Sequence, residues 1–354
     1  MALGLKRLFI GELSELKKLE MIELNYEPLK DIAKSGKERP WNDKKRMSLK
    51  TASLFEEATL LKKAERMSGC GDFLTFKQTN EGLKLNQAFF CKVRLCPMCN
   101  WRRSLKLTYE NKRIVEVANN RQKLRWLFLT LTVKNCEGDE LEDTIKAMME
   151  GYHRLMKYKC VDDEIEGWFR ALEITKNNDE DTYHPHFHIL LAVKPMYFAR
   201  KNKYIPQEEW TRLWQKAMKL DYEPIVHVEA VKAKKTKKDF KEVVKDIEKA
   251  ISDEQAVQKA ILEASKYTVK DTDLFTGTEA QNVETVFTLD GAMANKRLVA
   301  WGKSLKKIRD ELRLADKEDD LIHIDNQIED DVSQEIQKVT AYWHIGLKTY
   351  VIKN

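Results

Sequence analysis

The clearest alternation of hydrophobic and polar positions lies in the middle of the chain. Trp126-Leu-Phe-Leu-Thr-Leu-Thr-Val133 is rich in β-branched and aromatic residues and reads as a strand. Beyond it, Asp139 with Glu142 three residues on has the form of a capping box, and Leu141, Ile145, Met148, Tyr152 and Leu155 recur at helical spacing. Two strands follow, Gly167–Lys176 and His184–Lys194, joined by a polar turn over Asn177–Tyr183. Trp210, Leu213, Trp214 and Ala217 mark a second helix, Pro224–Lys232 a fourth strand, and a long Lys/Glu helix then reaches Lys270. The order β-α-β-β-α-β with a following helix, over residues 126 to 270, predicts a split β-α-β unit. That unit is one antiparallel sheet with helices on one face and the other face free.

The fold class expected is therefore α+β, and the chain divides into four regions. Residues 1–65 are helical and charged, interrupted at Arg39-Pro40-Trp41. Residues 66–120 carry cysteines and a basic helix from about Trp101 to Val117. Residues 121–275 hold the sheet. Residues 276–354 form a helical C-terminal region with an acidic segment. No internal repeat is evident.

Composition narrows the classes. With 354 residues, 42% of them apolar, the chain can bury the cores of two domains. Its 63 Lys+Arg against 57 Asp+Glu give +6, which excludes a histone-like polycation. No uncharged apolar run of membrane-spanning length occurs, and Met1–Glu12 lacks a signal peptide's apolar stretch. The cytoplasm is the expected compartment, where six cysteines point to metal or free thiol rather than disulfides.

Local charge is less even. Cys91–Arg125 holds ten Lys/Arg against two acids, Val231–Ala250 eight Lys against four acids, and Ala315–Asp331 eight acids against one Lys. Each run alone is a solvated helix face. Two basic runs with aromatic residues between them, and no apolar stripe beside them, fit a phosphate backbone better than a membrane.

Cys70, Cys91, Cys96 and Cys99 have the spacing C-x20-C-x4-C-x2-C. Four thiolates suffice for a closed tetrahedral structural zinc site, and Cys96-Pro-Met-Cys99 has zinc-knuckle spacing. The rival is a redox C-x-x-C, against which stand the basic flanks Arg94 and Trp101-Arg-Arg103. Cys136 and Cys160 fall outside the spacing and read as ordinary thiols.

Three of the seven histidines stand in His184-Pro-His186-Phe-His188. Alternation along a strand sends all three to one face, with Phe187, Ile189 and Leu191 on the other. The neighbouring strand offers Glu173 on the same face. Two imidazoles and a carboxylate make a partly open site for Mn²⁺ or Mg²⁺. The plain alternative is a solvated strand face, and His227 or Glu229 on the last strand compete with Glu173 as third ligand. On spacing alone Tyr267 is a boundary packing residue, Glu263 a surface partner of Lys266 or Lys270, and Tyr109, Tyr152 and Tyr197 are equal candidates for a nucleophile.

His186-Phe187-His188 is the His-hydrophobic-His motif of the HUH endonucleases, and the surrounding chain resembles the rolling-circle replication initiators of small Gram-positive plasmids. Phe128-Leu-Thr-Leu-Thr132 is similar to that family's first motif, His184–His188 to its second and Glu263-Ala-Ser-Lys-Tyr267 to its third. Arg39-Pro-Trp41, Cys91–Cys99 and a helix around Asn295-Lys-Arg-Leu298 also match, so the likeness covers roughly residues 39–305. The resemblance implies a metal-dependent, site-specific DNA endonuclease and strand transferase. Tyr267 would attack one phosphodiester of the plasmid origin, leaving a 5′-phosphotyrosine and a free 3′-OH. Glu263 would activate water for the terminating cleavage, and Glu173, His186 and His188 would hold the divalent cation. Arg102, Arg103, Lys106, Lys232, Lys234, Lys235, Lys266 and Lys270 are the candidate DNA contacts. Partners implied are single-stranded or hairpin origin DNA, a host helicase, a single-strand-binding protein and a DNA polymerase, with no membrane. The sequence contains no P-loop pattern, so unwinding would be borrowed. Two other readings stand beside it: a relaxase, disfavoured by a tyrosine that follows the histidines, or a single-strand transposase of the same superfamily, and a non-catalytic zinc-containing DNA-binding regulator.

Overall fold

In the computed structural model, residues 26–80, 82–199, 203–231, 254–266, 268–314, 320–324 and 337–353 are described. The chain falls into two compact units, residues 1–102 with 320–354 and residues 103–319.

The first unit is built on a five-stranded antiparallel sheet of order β1-β10-β9-β2-β3. Its strands are β1 (Tyr26–Pro28), β2 (Phe73–Thr79), β3 (Gly82–Ala88), β9 (Lys338–His344) and β10 (Thr349–Lys353), with helices α1 (Trp41–Glu57) and α2 (Leu61–Ser68). The C-terminal region expected to be helical thus ends in two strands. Lys-Val-Thr-Ala-Tyr-Trp-His and Thr-Tyr-Val-Ile-Lys are β-branched and aromatic, and Ile345–Lys348 turns between them. The strands extend the sheet through β9, which pairs with β2. Trp41, 2% exposed, anchors this unit, edge-on to Phe76 at 5.9 Å and to Trp101 at 4.6 Å. Its Nε1 donates to Asp31 Oδ2 at 2.7 Å.

The second unit holds the sheet foreseen in the middle of the chain. Strands β4 (Arg125–Thr132), β5 (Ile165–Asn177), β6 (Thr182–Val193), β7 (Val226–Ala230) and β8 (Val299–Gly302) lie in the order β7-β4-β6-β5-β8, every neighbour antiparallel. Helices are α3 (Pro97–Arg121, beginning in the first unit), α4 (Leu141–Leu155), α5 (Gln207–Met218), α6 (254–264), α7 (Glu279–Ala292) and α8 (Lys303–Glu311). Leu127, Leu129, Leu131, Phe187 and Ile189 are buried on the face toward α4 and α5. There Phe187 meets Tyr152 at 5.7 Å and Trp214 at 6.4 Å.

The opposite face is not free, contrary to expectation. Trp126, Phe128, Phe169, Ala171, Leu190 and Ala192 pack there against Ile114 and Val115 of α3, Ala260, Ile261 and Ala264 of α6, and Leu305 and Ile308 of α8. The near-continuous apolar run of β4 belongs to a strand buried on both sides. Other details differ too. Glu140, not Asp139, is the N-cap of α4, and no side-chain cap bond closes it among the described residues. The capping box that does form is Thr278 with Gln281 at the start of α7. The segment Asn295–Leu298, expected on a helix, leads from α7 into β8, a strand the sequence reading did not foresee. That strand ends at Gly302, where a Cβ would stand 2.0 Å from Trp168 Cε2 across the ladder.

Candidate metal centre and its surroundings

The half of this second face not covered by apolar packing carries the polar residues. Antiparallel pairing sets Glu173 opposite His186, and Thr130, His188 and Ala171 in one row across three strands. Directly opposed side chains share a face, so register alone brings the carboxylate and both imidazoles together. Glu173 Oε2 lies 2.9 Å from His188 Nε2 and 3.7 Å from His186 Nε2. The ligand atoms of these three residues all fall within 4.8 Å of one another. Two ligands about 2.1 Å from one octahedral ion stand about 3 to 4.2 Å apart, so the cluster fits a divalent ion with little adjustment.

The surrounding bonds orient the rings. The His184 carbonyl accepts from His186 Nδ1 at 3.1 Å, which places a proton on Nδ1 and turns Nε2 toward Glu173. Thr130 Oγ1 lies 3.4 Å from His188 Nδ1, and His184 Nδ1 is 2.9 Å from Asn135 Oδ1. His184 therefore faces Asn135 and stands outside the three-residue cluster. Burial opposes ionisation of Glu173, but hydrogen bonds from His186 and His188 outweigh it and hold the carboxyl well below the usual range. Burial, then the neighbouring His186, lowers His184. His227 and Glu229 pair with each other at 3.9 Å on an exposed stretch of β7, and Glu173 completes the cluster instead.

Of the third motif, Glu263 ends α6 in an ion pair with Lys266 at 2.5 Å. Tyr267 lies outside the described residues, as do Lys232, Lys234 and Lys235. The residues after it lie along β5: Ile174 N–H donates to the Thr268 carbonyl at 2.6 Å, and Lys270 Nζ stands 3.4 Å from Glu173 Oε1. Two rival tyrosines are enclosed, Tyr152 at 4% and Tyr197 at 1% exposure, and burial raises both phenols. Tyr109 accepts from Arg113 at 3.0 Å. Among the candidate DNA contacts, Arg102 is buried. It stacks near Trp41 and Trp101 and donates to the carbonyls of Leu321 and Ile322, so the first unit's interior holds that charge. Lys106 is also buried, 3.9 Å from Glu110. Arg103 is half-buried, while Lys266 and Lys270 are exposed.

The four cysteines of the first unit converge and are fully buried. Cys70–Cys99, Cys91–Cys99 and Cys70–Cys96 Sγ separations are 3.6, 3.6 and 3.7 Å. A disulfide would need about 2.05 Å, whereas a tetrahedral zinc–thiolate site has edges of about 3.8 Å. Hydrogen bonds from the other three thiols, then burial, push the Cys70 thiol far up, so the four do not ionise together unaided. The N–H groups of Cys91 and Lys92 donate to Cys70 and Cys99 sulfurs, and Ser48 Oγ lies 3.4 Å from Cys96 Sγ. One residue here escaped the sequence reading. Lys45, 0% exposed, donates to the carbonyls of Ser68 and Cys70 and to Asp72 Oδ1 at 2.6, 3.0 and 2.6 Å. A lysine on the tryptophan-bearing side of α1, four residues after Trp41, was the available signal.

A family model described as "Replication protein" matches residues 82–351. The chain belongs to this replication protein family. Relatives include "Protein rep" of Bacillus amyloliquefaciens, 48% identical over 94% of this chain and 99% of that protein. Another, from Lactiplantibacillus plantarum, is 38% identical over 92% and 99% respectively. "Protein rep" of a Bacillus species is 50% identical over 82% of this chain and 94% of its own length. No solved structure matches. The resemblance drawn from the histidine strand is borne out at the level of the family. Among the described residues, no helix is long and apolar enough to cross a membrane.

Proposed function

We propose that the chain is a plasmid replication initiator that nicks one strand of its origin and stays joined to it through Tyr267. The observation that carries this reading is the convergence of Glu173, His186 and His188 on one sheet face of a replication protein. The strand order β7-β4-β6-β5 supports it, since a split β-α-β unit puts the histidine strand beside the glutamate strand.

A divalent cation bound there would polarise the scissile phosphate and neutralise charge on the leaving oxygen. In this reading the Tyr267 oxygen attacks phosphorus and the bond from phosphorus to O3′ breaks. The 5′-phosphate becomes a tyrosine ester, the tyrosine proton leaves to solvent, and the released O3′ takes up a proton as a 3′-OH that a polymerase can extend. After one round, Glu263 takes a proton from a water that attacks phosphorus at the regenerated origin and releases a 3′-OH. That 3′-OH attacks the tyrosine-linked phosphorus, the bond from phosphorus to the Tyr267 oxygen breaks and the tyrosine takes up a proton, which frees the protein. Arg103, Lys266 and Lys270, with Lys232, Lys234 and Lys235, contact backbone phosphates. The four cysteines hold a structural zinc ion. The substrate is single-stranded or extruded hairpin origin DNA in the cytoplasm, and host helicase, single-strand-binding protein and polymerase carry replication forward.

The test is incubation with supercoiled origin plasmid and Mn²⁺. Expected products are nicked plasmid and protein-linked DNA, both abolished by EDTA and by Tyr267→Phe. Nicking unaffected by either would overturn the reading.

A further inference from the structure

A buried polar chain closes the C-terminal end of α6. Asn111 of α3, 2% exposed, donates from Nδ2 to Ser265 Oγ at 3.0 Å and accepts at Oδ1 from Trp301 Nε1 at 2.9 Å. Ser104, two turns earlier on α3, donates to the Ser265 carbonyl at 3.0 Å. Ser265 itself is 0% exposed. The last carbonyls of a helix have no partners within it, and here a neighbouring helix supplies one from its side chain. The chain is fixed again at Thr268, through Ile174, and at Lys270, against Glu173. One set of anchors thus stands on α3 and β8, the other on the glutamate strand.

The apolar contacts of α6, through Ala260, Ile261 and Ala264, could be satisfied at several rotations and small slides of the helix. Directional hydrogen bonds at Ser265 select one. Ser265 stands two residues after Glu263 and two before Tyr267.

We propose that Asn111 is a positioning residue for strand cleavage. Through Ser265 it fixes where α6 ends, and with it the stretch of chain that carries Glu263 and, two residues beyond Ser265 in sequence, Tyr267. The proposal rests on the nicking reading above. A displacement of about 1 Å at such a remove costs about 10²-fold in rate when geometry is the limiting factor.

The experiment uses the full chain, a single-stranded origin oligonucleotide and Mn²⁺, with Asn111→Leu, Ser265→Ala and the double variant. Single-turnover cleavage rate at saturating DNA, oligonucleotide Kd, Mn²⁺ affinity and melting temperature are read for each. Expected is a 10- to 100-fold slower cleavage step for each single variant, with both affinities within twofold of wild type. The double variant is no slower than the slower single one, because both break the same contact. Ser265→Ala leaves the Asn111–Trp301 bond in place and serves if Asn111→Leu does not fold. Wild-type cleavage rates in a folded variant, or rates that fall only in step with DNA or Mn²⁺ affinity, overturn the proposal. Failure of wild type to cleave at all sinks the nicking reading itself, and is seen before any variant is compared.

Discussion

Lys270 holds its ammonium 3.4 Å from Oε1 of Glu173, while Oε2 of the same carboxylate lies 2.9 Å from His188 Nε2. A divalent cation held by Glu173, His186 and His188 would therefore share this carboxylate with a lysine. Their charges, +2 and +1, would lie about 5 Å apart, and at this half-exposed position, with an effective dielectric of about 60, the repulsion is about 2 kcal/mol. Lys270→Met is expected to tighten Mn²⁺ binding about 30-fold while weakening oligonucleotide binding and flattening its salt dependence. Titration of Mn²⁺ by electron paramagnetic resonance checks the first. Unchanged or weaker Mn²⁺ binding would contradict the shared-carboxylate account.

Glu173→Gln keeps the shape of the side chain and removes its charge. Mn²⁺ affinity is expected to fall about 10- to 100-fold, as for loss of one charged ligand group, and nicking with it. The melting temperature without metal should fall too, because the buried carboxylate accepts from both imidazoles and its charge is favoured in the folded state. Calorimetric titration and a melt of the same preparation separate the two effects.

Lys45 is enclosed beside the four cysteines, with three acceptors on the Ser68–Asp72 stretch that carries Cys70. A zinc ion bound by four thiolates carries a net charge of about −2, and a buried ammonium nearby offsets part of it. Lys45→Met should release zinc to a chromophoric chelator at least tenfold faster and lower stability by about 2 to 4 kcal/mol, because the Ser68 and Cys70 carbonyls lose their donor. Lys45→Arg should fall between the two. Release at the wild-type rate would remove the electrostatic part of this prediction.

Arg102 distinguishes sequence charge from available charge. Its guanidinium lies 5.4 Å from the Trp41 ring and donates to Leu321 O at 2.8 Å and Ile322 O at 2.9 Å. Arg102→Ala is expected to destabilise the fold by about 2 to 4 kcal/mol, while DNA affinity of the folded protein changes less than twofold. Arg103→Ala should do the reverse. Denaturant melts and binding isotherms at two salt concentrations test both.

Strand composition and period-3.6 patterns reached four of the second unit's five strands and the helices α4 and α5, because those strands are rich in β-branched and aromatic residues and those helices repeat their apolar positions over several turns. The histidine strand showed its chemistry directly, since alternation puts His186 and His188 on one face and pairing puts Glu173 beside them. The C-terminal strands were illegible for a physical reason. Residues 338–353 gain their strand character by pairing with β2, some 260 residues away, and local charge in the preceding acidic stretch read as helix. The burial of Arg102 and Lys106 was illegible too: a basic run does not say which of its members face inward. β4 could have warned that both faces are covered, since Trp126, Phe128, Leu127 and Leu129 are all apolar.

The central claim is covalent attachment at position 267, and the most direct measurement is mass spectrometry of the peptide trapped on an origin oligonucleotide with Mn²⁺. The account predicts a peptide carrying a 5′-phosphorylated nucleotide on Tyr267, absent in the EDTA control. A nucleotide found on Tyr109 or another residue, or none despite nicked DNA, would contradict it.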